Sequence, residues 1–207
     1  MTSKPSMDIA VDRLLSCRNG ELDLSDLGLT ELPPLPEGIV ELYCSHNQLT
    51  SLPPLPSTLR SLTCDYNDLT SLPELPSSLL TLGCAHNHLT SLPSLPSSIL
   101  MVICNYNRLT TLPEFPPTLE HCYCNHNLLT SLPELPLSLE SLRCIGNRLI
   151  SLPVLSSLKA LYCDHNQLTS LPELPSSMNA LYLSYNNVTS LPELPLLNRS
   201  EERRVGK

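Results

Sequence analysis

Seven cysteines, Cys44, Cys64, Cys84, Cys104, Cys124, Cys144 and Cys163, recur every 20 residues, with one interval of 19. Thiolates bind soft metals and act as nucleophiles, so a ladder of them is the first candidate for chemistry. Their setting argues for another use. Each lies two residues after a leucine or its substitute, as in Leu42-Tyr43-Cys44, and that alternation sends both to one face of a strand. The cysteine then serves as a small buried apolar residue and stays a free thiol. Cys122 forms a Cys-x-Cys pair with Cys124, but it takes the place of the usual leucine on the same inward face. Unbridged inward thiols suit a reducing compartment, here read as cytoplasmic.

Histidines at the position before the repeat's asparagine, His46, His86, His126 and His165, alternate with Tyr66, Tyr106 and Tyr185. Successive histidines up to His126 are two repeats apart, about 10 Å at ordinary strand spacing, whereas a zinc ion draws its donors to about 2 Å. They cannot share a metal, and they read as partly exposed residues at the rim of a sheet. No metal and no cofactor is expected, and an inward thiol without a base or a positive setting is not a catalytic nucleophile. Asn187-Val188-Thr189 matches a glycosylation sequon, but it coincides with the repeat's own Asn-x-x-Thr region.

These residues sit in a unit of 20 residues written about nine times between Leu22 and Asn198. Asn47, Asn67, Asn87, Asn107, Asn127, Asn147, Asn166 and Asn186 mark the copies, each within a frame Leu-x-Cys-x-x-Asn-x-Leu-Thr-Ser-Leu-Pro-x-Leu-Pro. The alternating front of the unit predicts a short half-buried strand, and the asparagine can satisfy backbone groups at the turn that follows. The back, as in Leu72-Pro73-Glu74-Leu75-Pro76, cannot be helical, because two prolines remove amide donors and fix φ. Stacked copies predict a parallel-sheet solenoid with the strands on the concave side and an extended, polyproline-like convex side. Its contacts join nearest neighbours. Glu74, Glu114, Glu134, Glu173 and Glu193 fall on the convex side, where they favour solubility.

The division expected is an N-terminal segment 1–21, repeats over 22–198 and a non-repeat tail over 199–207. Residues 7–17 predict a capping helix with Ser6 as its N-cap and Met7, Ile9, Val11, Leu14 and Leu15 on the apolar face. One copy, through Pro153–Lys159, has lost a residue and its second proline, which predicts a slight kink. The repeats stop at Leu196-Leu197-Asn198 without a polar cap, and the unrelated tail RSEERRVGK reads as translated adapter sequence.

Composition narrows the function classes. Among 207 residues 4% are aromatic, none is tryptophan, and the net charge is −8, so a broad phosphate-binding surface and a nucleic-acid partner are excluded. There is no apolar run long enough for a membrane span and no secretory signal of the usual kind. The polar start, with Thr2, Ser3 and Ser6, is compatible with non-classical bacterial secretion into a host cell.

The repeat frame resembles a short bacterial leucine-rich repeat, and Leu22–Ile39, LDLSDLGLTELPPLPEGI, resembles the entry repeat of IpaH- and YopM-like bacterial effectors. The likeness covers about residues 7–198, and it departs from those effectors in placing cysteine where they mostly carry valine, leucine or isoleucine. It implies a leucine-rich repeat solenoid that binds a protein. An alternative that it implies is the substrate-recognition part of an IpaH-like ubiquitin ligase. The nucleophile of such ligases is a Cys-x-Asp in a following helical domain, and no Cys-x-Asp occurs in this chain.

On a constant frame, the variable outward residues carry the specificity. One column reads Tyr43, Thr63, Gly83, Ile103, Tyr123, Arg143, Tyr162, Tyr182, and the next reads Ser45, Asp65, Ala85, Asn105, Asn125, Ile145, Asp164, Ser184. Tyrosine and arginine are favoured interface anchors. The partner-binding residues expected from these columns are Tyr43, Asp65, Ile103, Asn105, Tyr123, Asn125, Arg143, Tyr162, Asp164 and Tyr182, on the concave face of a module with no catalysis of its own.

Overall fold

The computed structural model describes residues 6–190 and 192. The tail 199–207, Leu196 and Leu197, Glu193, and Thr2 and Ser3 lie outside them. Helix α1 (Ser6–Ser16) precedes nine three-residue strands: β1 (Glu21–Asp23), β2 (Glu41–Tyr43), β3 (Ser61–Thr63), β4 (Thr81–Gly83), β5 (Met101–Ile103), β6 (His121–Tyr123), β7 (Ser141–Arg143), β8 (Ala160–Tyr162) and β9 (Ala180–Tyr182). They form one parallel sheet in sequence order, each residue opposite its counterpart in the next copy, as Leu42 opposite Leu62. The fold is the expected solenoid, and each coil is numbered below by its strand.

Alternation works as the sequence requires. Leu42, Leu62, Leu82 and Leu142 and the seven ladder cysteines are fully buried, while the residues between them face outward. The strand ends where the chain turns through a left-handed residue: φ is 56° at His46, 54° at Tyr66 and 53° at His86. The asparagine that follows locks this turn. Asn107 Oδ1 accepts from Leu89 N at 3.0 Å, and its Nδ2 donates to Cys84 O at 2.9 Å and to Cys104 O at 3.2 Å. One amide therefore joins its own coil to the one before, and the pattern recurs from Asn47 to Asn186. Buried backbone groups that no β-ladder can reach are satisfied in this way.

A second ladder runs along the convex side. The prolines open tight turns, as Leu59 N bonding to Pro56 O at 3.1 Å, and the hydroxyl within each turn donates to the previous coil: Thr58 to Ile39 O, Ser78 to Leu59 O, Thr118 to Ile99 O. Sequence reading passed over these residues, although a Ser or Thr just before the last apolar residue of the unit recurs at 58, 78, 98, 118, 138, 157 and 177.

One expectation needs correction. The helix begins at Ser6 itself, and its inward face is Ala10, fully buried, with Met7, Leu14 and Cys17 against the core. Val11 and Leu15 are exposed, because residues 7, 10, 14 and 17 share the helical face and 11 and 15 do not. The shortened copy leaves the sheet unbroken: Ser141 pairs with Ala160, and Leu149 N still reaches Asn166 Oδ1 at 3.0 Å. The missing residue is absorbed on the convex side, where Leu155 is buried although its counterpart Leu135 is only partly so.

Replacing Asn107 with Ala leaves Leu89 N–H and two buried carbonyls without their amide partner. At about 1–3 kcal/mol for a stranded buried group, the expected loss in urea unfolding is about 3–5 kcal/mol. Asn187, exposed one residue beyond the ladder, should change by no more than about 0.5 kcal/mol when replaced with Ala. Equal losses at the two positions would overturn the ladder account.

Candidate protein-interaction face

Parallel register stacks equivalent outward residues one coil apart, and at the carboxyl half of the sheet this brings four together. The Arg143 guanidinium carbon lies 4.8 Å from the Tyr123 ring centre and 4.6 Å from that of Tyr162. Tyr162 stacks in turn on Tyr182, centroids 4.7 Å apart and planes 8° apart. The positive charge of Arg143 thus meets the electron-rich faces of two phenols, and its outer edge keeps N–H groups for a ligand. Ile103 adjoins Tyr123 in the same register, so Ile103, Tyr123, Arg143, Tyr162 and Tyr182 form one continuous column. His121 lies beside it, its ring 6.3 Å from that of Tyr123 and its Nδ1 buried without a hydrogen-bond partner.

Other expected residues are placed differently. Tyr43 stands coils away at the acidic amino end, donating to Glu41 Oε2 at 2.6 Å, and that bond, with burial and the carboxylates of Glu21 and Asp23, pushes its phenol up to about 12. Asp65, Asn105, Asn125 and Asp164 spend a side-chain oxygen on the next coil, accepting from the backbone N–H of Ala85, Asn125, Ile145 and Ser184 at 2.6–2.9 Å. Burial raises the Asp65 carboxyl above its usual range, against the lowering pull of the Ala85 N–H, His86 and His46. Each of the four has a structural tie as well as an outward position.

Sequence reading treated the rim histidines and tyrosines as separate residues. They stack: His46, Tyr66, His86, Tyr106 and His126 form a continuous series with centroid steps of 4.4, 4.1, 4.3 and 4.4 Å. Identical placement in successive coils was the available signal, since it sets rings one strand spacing apart. The same steps keep successive histidines too far apart to share an ion, and among the described residues no group of three or more metal donors converges.

Against solved structures, the chain is similar to YopM, a leucine-rich effector protein from Yersinia pestis, at 37% identity and a TM-score of 0.77 over 94% of this chain and 64% of that one. It is similar to YopM from Yersinia enterocolitica at 34% identity and a TM-score of 0.67, covering 94% of this chain and 54% of the other. A Shigella effector leucine-rich repeat domain shares 33% identity and a TM-score of 0.70, over 92% of this chain and 81% of that domain. The chain belongs to the bacterial effector-type leucine-rich repeat family. It spans 64% and 54% of the two YopM chains, less than two thirds of either. No family model and no curated protein matches it. Within the described part of this leucine-rich repeat protein, no helix is long and apolar enough to cross a membrane.

All nine cysteines are free, and the eight within the repeats are buried. Burial pushes Cys44 and Cys163 up to about 12, with Asp65 and Asp164 adding to the effect, and it raises Cys64 and Cys144 well above the ordinary thiol range. Cys124 is raised first by its hydrogen bond with Cys122 and then by burial. Some thiols also donate into the next coil, as Cys163 to Tyr182 O at 3.2 Å. A thiol held neutral and dry is inert to electrophiles. Titration of the native protein with a thiol-specific disulfide reagent at pH 8 should therefore release one rapid equivalent, from the half-buried Cys17, and nine after unfolding. More than one rapid equivalent would contradict the buried ladder.

Proposed function

We propose that this leucine-rich repeat recognises a protein on the concave face of its sheet, with Tyr123, Arg143, Tyr162 and Tyr182 as anchors. The observation that carries the reading is the stack of Arg143 between Tyr123 and Tyr162, at 4.8 and 4.6 Å, on a frame whose other positions barely vary. Tyrosine and arginine held rigidly lose little side-chain entropy on binding, which is what distinguishes an anchor from an incidental contact. Strand residues facing solvent need no such arrangement; threonine and glycine fill the same column at Thr63 and Gly83.

The test is capture of a partner from host-cell or bacterial lysate by the immobilised chain, followed by affinity measurement on the protein recovered. Single replacement of Tyr123, Arg143 or Tyr162 with Ala should weaken that affinity by about tenfold to a hundredfold, the range of 1.4–2.7 kcal/mol typical of anchors. Tyr43→Ala, at the far end of the sheet, should leave it within about twofold, a few tenths of a kcal/mol. Unchanged affinity in all three anchor variants would refute the reading.

A further inference from the structure

Charge in the repeats is sorted by side. The five cations between residues 19 and 198, Arg60, Arg108, Arg143, Arg148 and Lys159, sit on the strands or in the turns beside them, and so does every histidine. The convex arcs of coils 1 to 8, from residues 30–38 to 169–177, carry Glu31, Glu37, Glu74, Glu114, Glu134 and Glu173, all exposed, and no Lys, Arg or His. That side is a field of one sign, with no opposite charge within it. Into it coils 6 and 7 place three aliphatic side chains. Leu137, Ile150 and Val154 are 77%, 59% and 71% exposed, and they are the exposed large apolar residues of the described convex arcs. Each stands where the frame is polar: Leu137 takes the place of Ser77 and Ser97, Val154 that of Glu134 and Glu173, and Ile150 that of the repeated threonine. The shortened arc of coil 7 draws Leu155 into the core and still leaves Val154 outside.

Leu-Pro precedes Glu134, Val154 and Glu173 alike, so the three keep phase and Val154 has a glutamate one coil away on either side. Leu137 follows Glu134 by three residues of extended chain, about 9 Å. Cations lie beyond both ends of the coil 7 arc: Arg148 two residues before Ile150, and Lys159, whose Nζ is paired with Glu140 Oε1 at 2.6 Å. Ile150 therefore borders a positive charge, whereas Leu137 and Val154 are bordered by carboxylates. Aliphatic side chains among carboxylates are complementary to an apolar side chain flanked by Lys or Arg. A second copy fits poorly, because its own patch would set glutamate against glutamate and three aliphatic side chains fall short of the about 800 Å² per partner of a stable interface. An anionic bilayer is repelled by the same glutamates. We propose that Leu137 and Val154, with Glu134 and Glu173 beside them, form a second docking surface, on the convex side, for a basic amphipathic segment of a partner protein. It is separate from the tyrosine and arginine column of the sheet, and neither surface needs the other.

The experiment titrates the full chain into a trace of the labelled amphipathic peptide LKKLLKLLKKLLKL and follows fluorescence anisotropy. The expected result is saturable binding that weakens as salt is raised, with no binding of the acidic counterpart LEELLELLEELLEL. Leu137→Ser combined with Val154→Glu restores the residues that other coils carry at two exposed positions, so the fold is kept. It also adds a negative charge, and a contact made by charge alone would tighten. Binding at the docking surface should instead fall by about tenfold or more, the effect of removing anchors. Glu134→Gln with Glu173→Gln should weaken it several-fold and flatten the salt dependence, and Tyr123→Ala should leave it within about twofold. Absence of binding, equal binding of the acidic peptide, or unchanged or tighter binding by the Ser and Glu double variant would overturn the proposal. Loss of binding in Tyr123→Ala would overturn it too, by placing the peptide on the sheet. Sedimentation equilibrium of the chain alone supplies the remaining arm: self-association abolished by the Ser and Glu double variant would overturn the proposal by making a second copy the occupant.

Discussion

Everything in this solenoid depends on one side-chain amide per coil. The asparagine after each strand from β2 onward accepts from a backbone N–H of the preceding coil and donates to carbonyls of both, as Asn67 accepts from Leu49 N and donates to Cys44 O and Cys64 O. Strands of three residues make too few ladder bonds to fix the height of a coil, and the turn that follows them is buried and bent. An apolar residue there would leave those groups without partners in a region water does not reach. The amide supplies them, so the leucines and cysteines beneath can pack in strict vertical register.

Register is also what converts surface residues into structures of their own. Where the same outward position holds rings in successive coils, the spacing of a parallel sheet brings them within stacking distance. On the sheet this gives Tyr123, Arg143, Tyr162 and Tyr182, and on the rim it gives the alternating histidines and tyrosines. Acceptors of the second outward column are drawn in as well, Asp65 and Asp164 bonding the amides of the coil above. A repeat protein of this kind can vary its face freely only where the next coil does not claim the side chain.

Coil 7 illustrates how local change is tolerated. It loses a residue on the convex side, carries glycine on the rim and presents an arginine on the sheet, yet the strand pairing and the asparagine bonds pass through it intact. Forces that set coil height act on the concave half of each unit. The convex half, built of proline turns and hydroxyl bonds, accommodates the deletion by drawing Leu155 inward.

The sequence by itself determined the class of fold, the period, the inward direction of leucine and cysteine, and the variable columns, because each follows from residue types repeated at a constant interval. It also led to Tyr123, Arg143, Tyr162 and Tyr182 as a group. Tertiary structure alone decided which outward residues touch. That Asp65 and Asn125 are tied to the next coil, that Arg143 lies between two rings, and that the rim histidines stack depends on rotamers and coil height, which a one-dimensional pattern does not carry. The helix face was misread for a related reason: Ala10 is the contact that docks α1, and a small residue adds little to an apolar pattern while fitting closest to the first coil.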